Sequence, residues 1–326
     1  MSVAQQVPET WELTGDDARE ALRTTGRRML VRDAFVRFRA ADGFSHARSL
    51  AFVISLLIVQ GVIVLVGVAA ALGDTDVSAT IVRSIKEAAP GPASKALTDA
   101  VFRAYVTGRS GQYLVLALVG VAALVTATTL MGQVERALNR LYGIEQDRPT
   151  LHKYGRALVL ALTAGVLAIV AFAMFAVGHS IGQGIGNETA AQVWRFVRWP
   201  LALVLMAASI ALLFRWSPRR RQPAWSWLAF GSTVSVVLWS LATLALGLFF
   251  EASTTFSTTY GPLAGMMALL LWALLSSVAI LFGAAIAAQL EAVRAGASEP
   301  RDESKAGGTK VDEAPHPGGS PALATR

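Results

Sequence analysis

The sequence predicts an all-α fold: a polytopic membrane helix bundle with about six transmembrane helices and both termini in the cytoplasm. Hydrophobic residues make up 54% of the 326 positions and charged residues only 16%, whereas soluble domains carry about 25% charged residues. The apolar residues are gathered into runs of about 20, the length that crosses a bilayer as a helix. The cations lie between these runs, as expected for residues that set membrane topology.

Six segments are apolar over enough length to span the hydrocarbon core, because a helix rises about 1.5 Å per residue. They comprise residues 49–72, 112–131, 157–177, 199–214, 225–250 and 263–290. Pro200 and Pro262 lie near the predicted starts of the fourth and sixth helices, where a missing N–H is tolerated best. We therefore expect residues 49–292 to form one transmembrane domain.

The distribution of cations predicts the orientation of the bundle. Of the 29 Lys and Arg residues, 22 fall in the two terminal regions and in the even-numbered connections. Cytoplasmic segments of membrane proteins carry such an excess, so this side is expected to face the cytoplasm. A net charge of +7 would also suit a nucleic-acid binder, but the alternation between segments indicates topology control, and we predict no nucleic-acid partner.

The segment before the first span, residues 28–48, is predicted to be a basic amphipathic helix in the interfacial layer. Val31, Ala34, Phe35 and Phe38 recur at helical spacing among arginines, a pattern typical of helices that lie in the headgroup region. A solvated charged helix is the alternative interpretation.

The remaining segments are predicted from composition. Residues 1–27 are expected to be a flexible N-terminal segment, and residues 293–326, rich in Gly, Pro, Ser and charge, a disordered cytoplasmic tail. The loop 73–111 shows two helical patterns separated by Pro90-Gly91-Pro92, which predicts a small helical extracytoplasmic cap.

The sequence predicts no catalytic, metal or cofactor site. Cysteine is absent, and no nucleotide-binding loop of the G-x-x-x-x-G-K-[ST] type is present. The four histidines lie far apart, at His46, His152, His179 and His316. The six apolar segments carry no Asp, Glu, Lys or Arg at depth, where proton and ion pumps place theirs. We therefore predict that the protein is not an enzyme and has no cofactor.

Small residues at four-residue spacing predict close helix crossings, because small side chains allow backbones to approach in lipid. The stripes are Gly178, Gly182 and Gly186; Gly261 and Gly265; and Ala279, Gly283 and Ala287. These faces are expected to pack within the chain, and a homo-oligomer is the alternative.

Two motifs stand out. The connection between the second and third spans carries a polar set, Glu135, Asn139, Tyr142, Arg148 and Arg156. The last span carries a second set, Tyr260, Gly261, Trp272, Gly283 and Glu291. With the basic preface and six spans, these motifs resemble the YihY/BrkB membrane family over about residues 30–292.

The resemblance implies a multi-pass protein of the inner or plasma membrane, linked to envelope integrity and, in pathogens, to serum resistance. The family has no settled biochemical activity, and its older label as a ribonuclease is generally regarded as mistaken. Arg148 and Arg156 are candidates either for binding lipid phosphate or for fixing the turn by bonding Glu135 and Asn139; we favour the second role.

Three functions follow as hypotheses. The first is envelope maintenance or translocation of lipids or other amphiphiles, with membrane lipids, including anionic ones, as partners. The second is a non-catalytic scaffold that binds partner proteins. The third is a ribonuclease, which would need clustered carboxylates or a histidine pair that the sequence does not provide.

Overall fold

The computed structural model describes most of the chain, namely residues 3–73, 78–79, 81–82, 85–86, 91–174, 188–253, 256, 259–260 and 263–302. Regular structure in these ranges is helical, with one isolated antiparallel bridge between Ala4 and Arg301. The helices are α1 Gly15–Thr25, α2 Arg27–Ala40, α3 Gly43–Ala71, α4 Pro92–Arg109, α5 Tyr113–Leu141, α6 Thr150–Met174, α7 Glu188–Trp216, α8 Trp225–Ala252 and α9 Leu263–Arg294. The predicted all-α fold is confirmed for the described part.

Six helices, α3 and α5 to α9, are long and apolar enough to cross a membrane, as predicted. The most apolar stretch of α9 is 56% buried within the protein, whereas the corresponding stretches of the other five helices are 17% to 33% buried. Helix α9 packs against α8, α3, α2 and α4. It is therefore the central helix of the bundle, and the other five helices have a smaller share of buried residues.

Two helices extend beyond the apolar runs that predicted them. Helix α5 continues past residue 131 to Leu141, because its last turns alternate polar side chains with buried Val134, Ala137 and Leu138. Helix α7 begins at Glu188, so the prediction that Pro200 lies near a helix start is wrong. Hydropathy misses such amphipathic turns, and proline is tolerated inside membrane helices.

Small residues allow the closest helix crossings, and two of the predicted stripes lie at contacts within the chain. A Cβ added at Gly283 of α9 would lie 2.6 Å from the carbonyl oxygen of Gly231 in α8. One added at Gly265 would lie 2.8 Å from the carbonyl oxygen of Pro92, where α4 packs against α9. Helix α4 thus folds onto the bundle at the end opposite α1 and α2. The stripe at Gly178, Gly182 and Gly186, together with Gly261, Pro262 and Pro90, lies outside the described residues.

Residues 3–27, which we expected to be flexible, are folded onto the bundle. The backbone N–H of Gly15, at the start of α1, donates to Ser226 Oγ at 2.9 Å. Asp17 pairs with Arg294 of α9 at 3.2 Å, and its carboxylate accepts a hydrogen bond from the backbone N–H of Thr14. That backbone bond is the main reason why the pKa of Asp17 lies below its ordinary value.

Helix α2 presents two faces, where the sequence suggested one apolar face. Ala34 and Phe38 are buried, and Phe38 contacts Phe282 of α9 with ring centroids 6.0 Å apart. Val31 and Phe35 point outward and are 48% and 43% exposed. Of the predicted disordered tail, residues 303–326 lie outside the described residues.

Candidate functional site at the basic end

The sequence-predicted polar residues converge at one end of the bundle, which we call the basic end. It is formed by the last turns of α5, α7 and α9, the first turns of α6 and α8, helices α1 and α2, and the connections 142–149 and 217–224. The predicted residues that lie here are Glu135, Asn139, Tyr142, Arg148, Arg156 and Glu291. The other predicted residues lie along α9 or before it.

Glu135 of α5 and Arg148 of the following connection form an ion pair, and Arg148 also contacts the connection after α7. The extra turns of α5 carry Glu135 into the protein, where its side chain is only 1% exposed, and Arg148 Nη1 lies 3.2 Å from Glu135 Oε1. The two terminal nitrogens of Arg148 also donate to the carbonyl oxygens of Ser217 and Pro218, each at 2.7 Å. Burial lowers the pKa of Arg148, and attraction to Glu135 offsets this only in part. All of these contacts of Arg148 are with other residues of the same chain.

Asn139 joins the same two connections through its side-chain amide. Its Oδ1 accepts the backbone N–H of Arg219 at 2.8 Å, and its Nδ2 donates to Asp147 Oδ1 at 3.2 Å. Asp147 also lies 3.1 Å from Lys153 Nζ and 3.2 Å from Arg136 Nε. Burial raises the pKa of Asp147, but the hydrogen bonds from Asn139 and Lys153 outweigh it, so the net pKa lies below the ordinary value.

Arg156 follows the pattern of Arg148. Its Nε donates to the carbonyl oxygen of Trp216 at 2.7 Å, at the end of α7. A lysine would reach these carbonyls with a single point charge, whereas guanidinium offers several donors in fixed directions. The sequence suggested that Arg148 and Arg156 bond Glu135 and Asn139. Arg148 does pair with Glu135, whereas Arg156 donates to the backbone carbonyl of Trp216.

The most deeply buried ion pair joins Arg220 to Glu291 near the end of α9. Arg220 Nη2 lies 2.6 Å from Glu291 Oε1, and the two side chains are 2% and 0% exposed. The hydroxyl of Thr10 donates to the same carboxylate oxygen at 2.6 Å. The Arg220 guanidinium stacks over the Tyr142 ring, 4.5 Å from its centroid. Burial, with the charge of Glu291, raises the pKa of the Tyr142 phenol well above its ordinary value.

Arg37 of α2 belongs to this network, although sequence reasoning missed it. Its side chain is fully buried, its Nε donates to Gln289 Oε1 at 2.7 Å, and its Nη1 donates to the carbonyl oxygen of Gln5 at 2.7 Å. Burial lowers the pKa of Arg37 to about 10, so it stays charged at neutral pH. The available signal was helical spacing, because Arg37 shares a face with Ala34 and Phe38.

Both ends of the described chain cover these buried arginines. We call residues 3–10 the N-terminal strap. The N–H of Val7 donates to the carbonyl oxygen of Tyr142 at 3.1 Å, and the N–H of Val3 to that of Ala40 at 3.0 Å. On the other side of the strap, the N–H of Asp302 donates to the carbonyl oxygen of Val3 at 2.9 Å. Gly143 has φ of 75°, and its backbone lies against Gln6. A side chain there would displace the strap.

The motif of the last span does not form a single cluster. Trp272 Nε1 donates to Thr243 Oγ1 of α8 at 3.1 Å, and its ring meets Phe172 of α6 with centroids 6.1 Å apart. Tyr260 is exposed and contacts Phe256. Gly283 lies at the crossing of α8 and α9, and Glu291 is at the basic end. Gly261 lies outside the described residues.

A π turn in α6, which the sequence did not reveal, adds a polar contact inside the bundle. Residues Ala161–Gly165 form this turn, and the carbonyl oxygen of Ala164 accepts a hydrogen bond from Ser209 Oγ of α7 at 2.8 Å. Ser209 is buried. The serine hydroxyl thus bonds a carbonyl of the wider turn and links α7 to α6.

The chemistry of the basic end is that of a closed ion-pair network. Within the described ranges, no group of three or more His, Asp or Glu residues is placed to hold a metal ion. Arg148, Arg156 and Arg220 donate to carbonyls or carboxylates of the same chain. The geometry therefore supports connection of helices and chain ends.

Fold and site together define a multi-pass helical membrane protein whose buried charged side chains, within the described residues, are gathered at one end. Residues 34–308 match the profile of the family described as virulence factor BrkB. The chain belongs to this family, as its motifs indicated.

Several relatives show the extent of the similarity. The putative ribonuclease-like protein YfkH of Bacillus subtilis is 23% identical over 80% of this chain and 94% of its own length. A UPF0761 membrane protein of Verminephrobacter eiseniae is 30% identical over 59% of this chain, and one of Azoarcus is 28% identical over 78%. The matched regions cover only 46% and 62% of those two relatives. No solved structure matches this chain.

Proposed function

We propose that this protein maintains the cell envelope by acting on lipids or other amphiphiles, and that it moves them between leaflets of the inner or plasma membrane. One observation carries the proposal. Within the described residues, the six apolar runs 49–72, 112–131, 157–177, 199–214, 225–250 and 263–290 carry no Asp, Glu, Lys, Arg or His, and Arg198 of α7, the eleventh of its 29 residues, lies just before the fourth run.

This arrangement favours an amphiphile over an ion as the substrate. An ion or proton that crosses the bilayer needs charged partners at depth, because its own charge is costly in hydrocarbon. An amphiphile keeps its acyl chains in the bilayer, so its headgroup alone needs polar contacts. Among the polar groups in the spans, the Gln60 side-chain oxygen Oε1 is buried without a hydrogen-bond partner within the described residues, so it is available for such a contact.

The orientation and location belong to the same proposal. We infer that the basic end faces the cytoplasm, because 22 of the 29 Lys and Arg residues are in segments assigned to that side. The name ribonuclease-like belongs to the relative YfkH. Nuclease chemistry uses metal-binding carboxylates or an acid–base pair, and the buried carboxylates Glu135 and Glu291 are instead paired with arginines.

The test is lipid movement in reconstituted vesicles. Vesicles that contain fluorescent phosphatidylglycerol or phosphatidylcholine are treated with dithionite, which bleaches only the outer leaflet. We expect bleaching with the protein to exceed that of protein-free vesicles. A bleached fraction equal to that of protein-free vesicles, for both lipids and at several protein densities, would contradict the proposal. Trapped-dye retention in the same vesicles is the control for leakage.

A further inference from the structure

The outer face of α2 combines free arginines with exposed apolar side chains. We call this set the α2 face; it consists of Arg28, Val31, Arg32, Phe35 and Arg39, all of which are exposed. Their spacing of three and four residues places them on one side of the helix. Within the described part of the chain, the guanidinium groups of Arg28, Arg32 and Arg39 have no hydrogen bond or ion pair.

The arginines of the ion-pair network differ, because they already donate to other groups of the chain. Arg37, Arg148 and Arg220 each bond a carbonyl or a carboxylate within the chain and are at most 14% exposed. Arg156 and Arg219 are more exposed but also donate to backbone carbonyls. A phosphate that approached the motif arginines would have to displace these bonds. The α2 face offers guanidinium groups without that competition.

The position of α2 sets its face at the level of the membrane surface. Phe38, on the inner face, packs against Phe282 of α9 and against Phe44 with ring centroids 4.9 Å apart. Phe35, on the outer face, meets Phe44 at 6.4 Å. Phe44 lies in the first turn of α3 and is 46% exposed, and Phe52, about two turns further along, is 57% exposed. The α2 face is therefore continuous with the lipid-facing side of α3.

We propose that the α2 face binds anionic phospholipid headgroups. The arginines contact phosphate, while Phe35 and Val31 insert at the level of the upper acyl chains. Charge complementarity argues for this occupant, because three unpaired cations surround an apolar centre within three helical turns. The proposal names the lipid class for the proposed lipid-linked function, yet it requires only binding, so it can hold if the protein moves no lipid.

The absence of cysteine allows a direct test. The variant Val31→Cys is labelled with an environment-sensitive dye and reconstituted in phosphatidylcholine with or without phosphatidylglycerol. We expect the dye emission to shift to shorter wavelength with phosphatidylglycerol, and lipids that carry a quencher near the headgroup to quench it. Each arginine contributes about fivefold to binding of an anionic surface. The triple variant Arg28→Gln/Arg32→Gln/Arg39→Gln should therefore need at least about tenfold more phosphatidylglycerol for the same shift.

The matched control removes the same charge elsewhere. Arg23, Arg103 and Arg109 are exposed and lie outside the α2 face, so the triple variant Arg23→Gln/Arg103→Gln/Arg109→Gln should keep the response. The dye response of the protein with all its arginines can also be measured at different salt concentrations. The Debye length falls from about 10 Å at 0.1 M to about 3 Å at 1 M. The shift in dye emission that phosphatidylglycerol causes should therefore be smaller at high salt.

Four outcomes would overturn the proposal. The dye could report water in both lipid mixtures, the response could be unchanged in the α2 triple variant and in high salt, or the quenchers could fail because a second copy or another protein covers the face. Competition by added RNA, without any effect of phosphatidylglycerol, would assign the face to nucleic acid. Failure of lipid movement with an intact α2 response would count against the proposed function alone.

Discussion

At the residue scale, the basic end shows how a membrane protein accommodates buried charged side chains. A buried charge is tolerated when an opposite charge and hydrogen bonds replace water. Arg220 and Glu291 meet this condition with each other and with Thr10, whereas Arg37 relies on Gln289 and backbone carbonyls. These side chains are thus tied to the strap and to the end of α9. These side chains therefore hold the N-terminal strap in place through hydrogen bonds as well as through charge.

The Arg220–Glu291 pair gives the first stability prediction. Arg220→Ala leaves the Glu291 carboxylate buried without its cation, and breaking a buried pair in this way costs about 3–5 kcal/mol. We expect the variant to unfold at clearly lower temperature or SDS fraction, with tryptophan fluorescence as the measure. Adding Glu291→Gln to Arg220→Ala should recover part of the loss, because no uncompensated charge remains.

The exposed pair Arg19–Asp16 is the control, since its side chains are 80% and 92% exposed. Exposed pairs contribute little to stability, so Arg19→Ala should unfold like the unaltered protein. Equal effects of Arg19→Ala and Arg220→Ala, or a double variant no more stable than Arg220→Ala, would contradict the buried-pair account.

Sequence reasoning reached only part of this site. The pairing of Glu135 with Arg148 was predictable, because both lie between the second and third apolar runs of the sequence. The N-terminal partners of Arg220 and Arg37 were not, since the carbonyl oxygens of Pro8 and Gln5 lie 212 and 32 residues away and come from a segment with no apolar pattern. Polar contacts between distant segments leave no periodic signal, whereas apolar faces do.

At the element scale, hydropathy located all six spanning helices but not their ends. The last ten residues of α5, from 132 to 141, mix polar residues with buried apolar ones, so the apolar run stops before the helix does. The same applies to the first turns of α7. The stripes of small residues predicted helix crossings well, because Gly265 and Gly283 both lie where the backbones of two helices approach closely. Helix ends depend on side-chain partners that hydropathy ignores.

Gly283 provides the prediction at this scale. A Cβ there would overlap Ser235 Oγ and lie 2.6 Å from the carbonyl oxygen of Gly231, so α8 and α9 would have to separate. Overfilling a packed contact costs about 1–3 kcal/mol. Gly283→Ala should therefore lower the midpoint of thermal or SDS unfolding. Ser235→Ala in addition should restore only part of the loss, because the backbone contact remains.

Gly247 of α8 is the matched control, since no atom lies within 4 Å of a Cβ added there. Alanine favours a helix over glycine, so Gly247→Ala should be neutral or stabilising. A Gly283→Ala protein as stable as Gly247→Ala would show that α8 and α9 are less tightly packed than their backbones indicate.

At the scale of the whole molecule, both ends of the described chain meet. The Ala4–Arg301 bridge and the bond from Asp302 to Val3 place the N-terminal strap beside the segment after α9. An even number of spanning helices requires both ends on one side, and the six helices agree with this contact. The structure thus relates the two ends to each other, while the choice of side depends on the charge distribution.

That choice is the final prediction, and the cysteine-free chain again makes it testable. Arg221 is exposed at the basic end, and Ser110 is exposed at the end of α4 on the opposite side. In spheroplasts, a membrane-impermeant maleimide should label Ser110→Cys at once and Arg221→Cys only after permeabilisation. The expectation follows from the preference of Lys and Arg for the side of synthesis, which depends on transfer across the membrane and not on packing. The reverse labelling pattern would place the α2 face toward the outer leaflet, and anionic lipid binding there would have to be tested with the lipids of that leaflet.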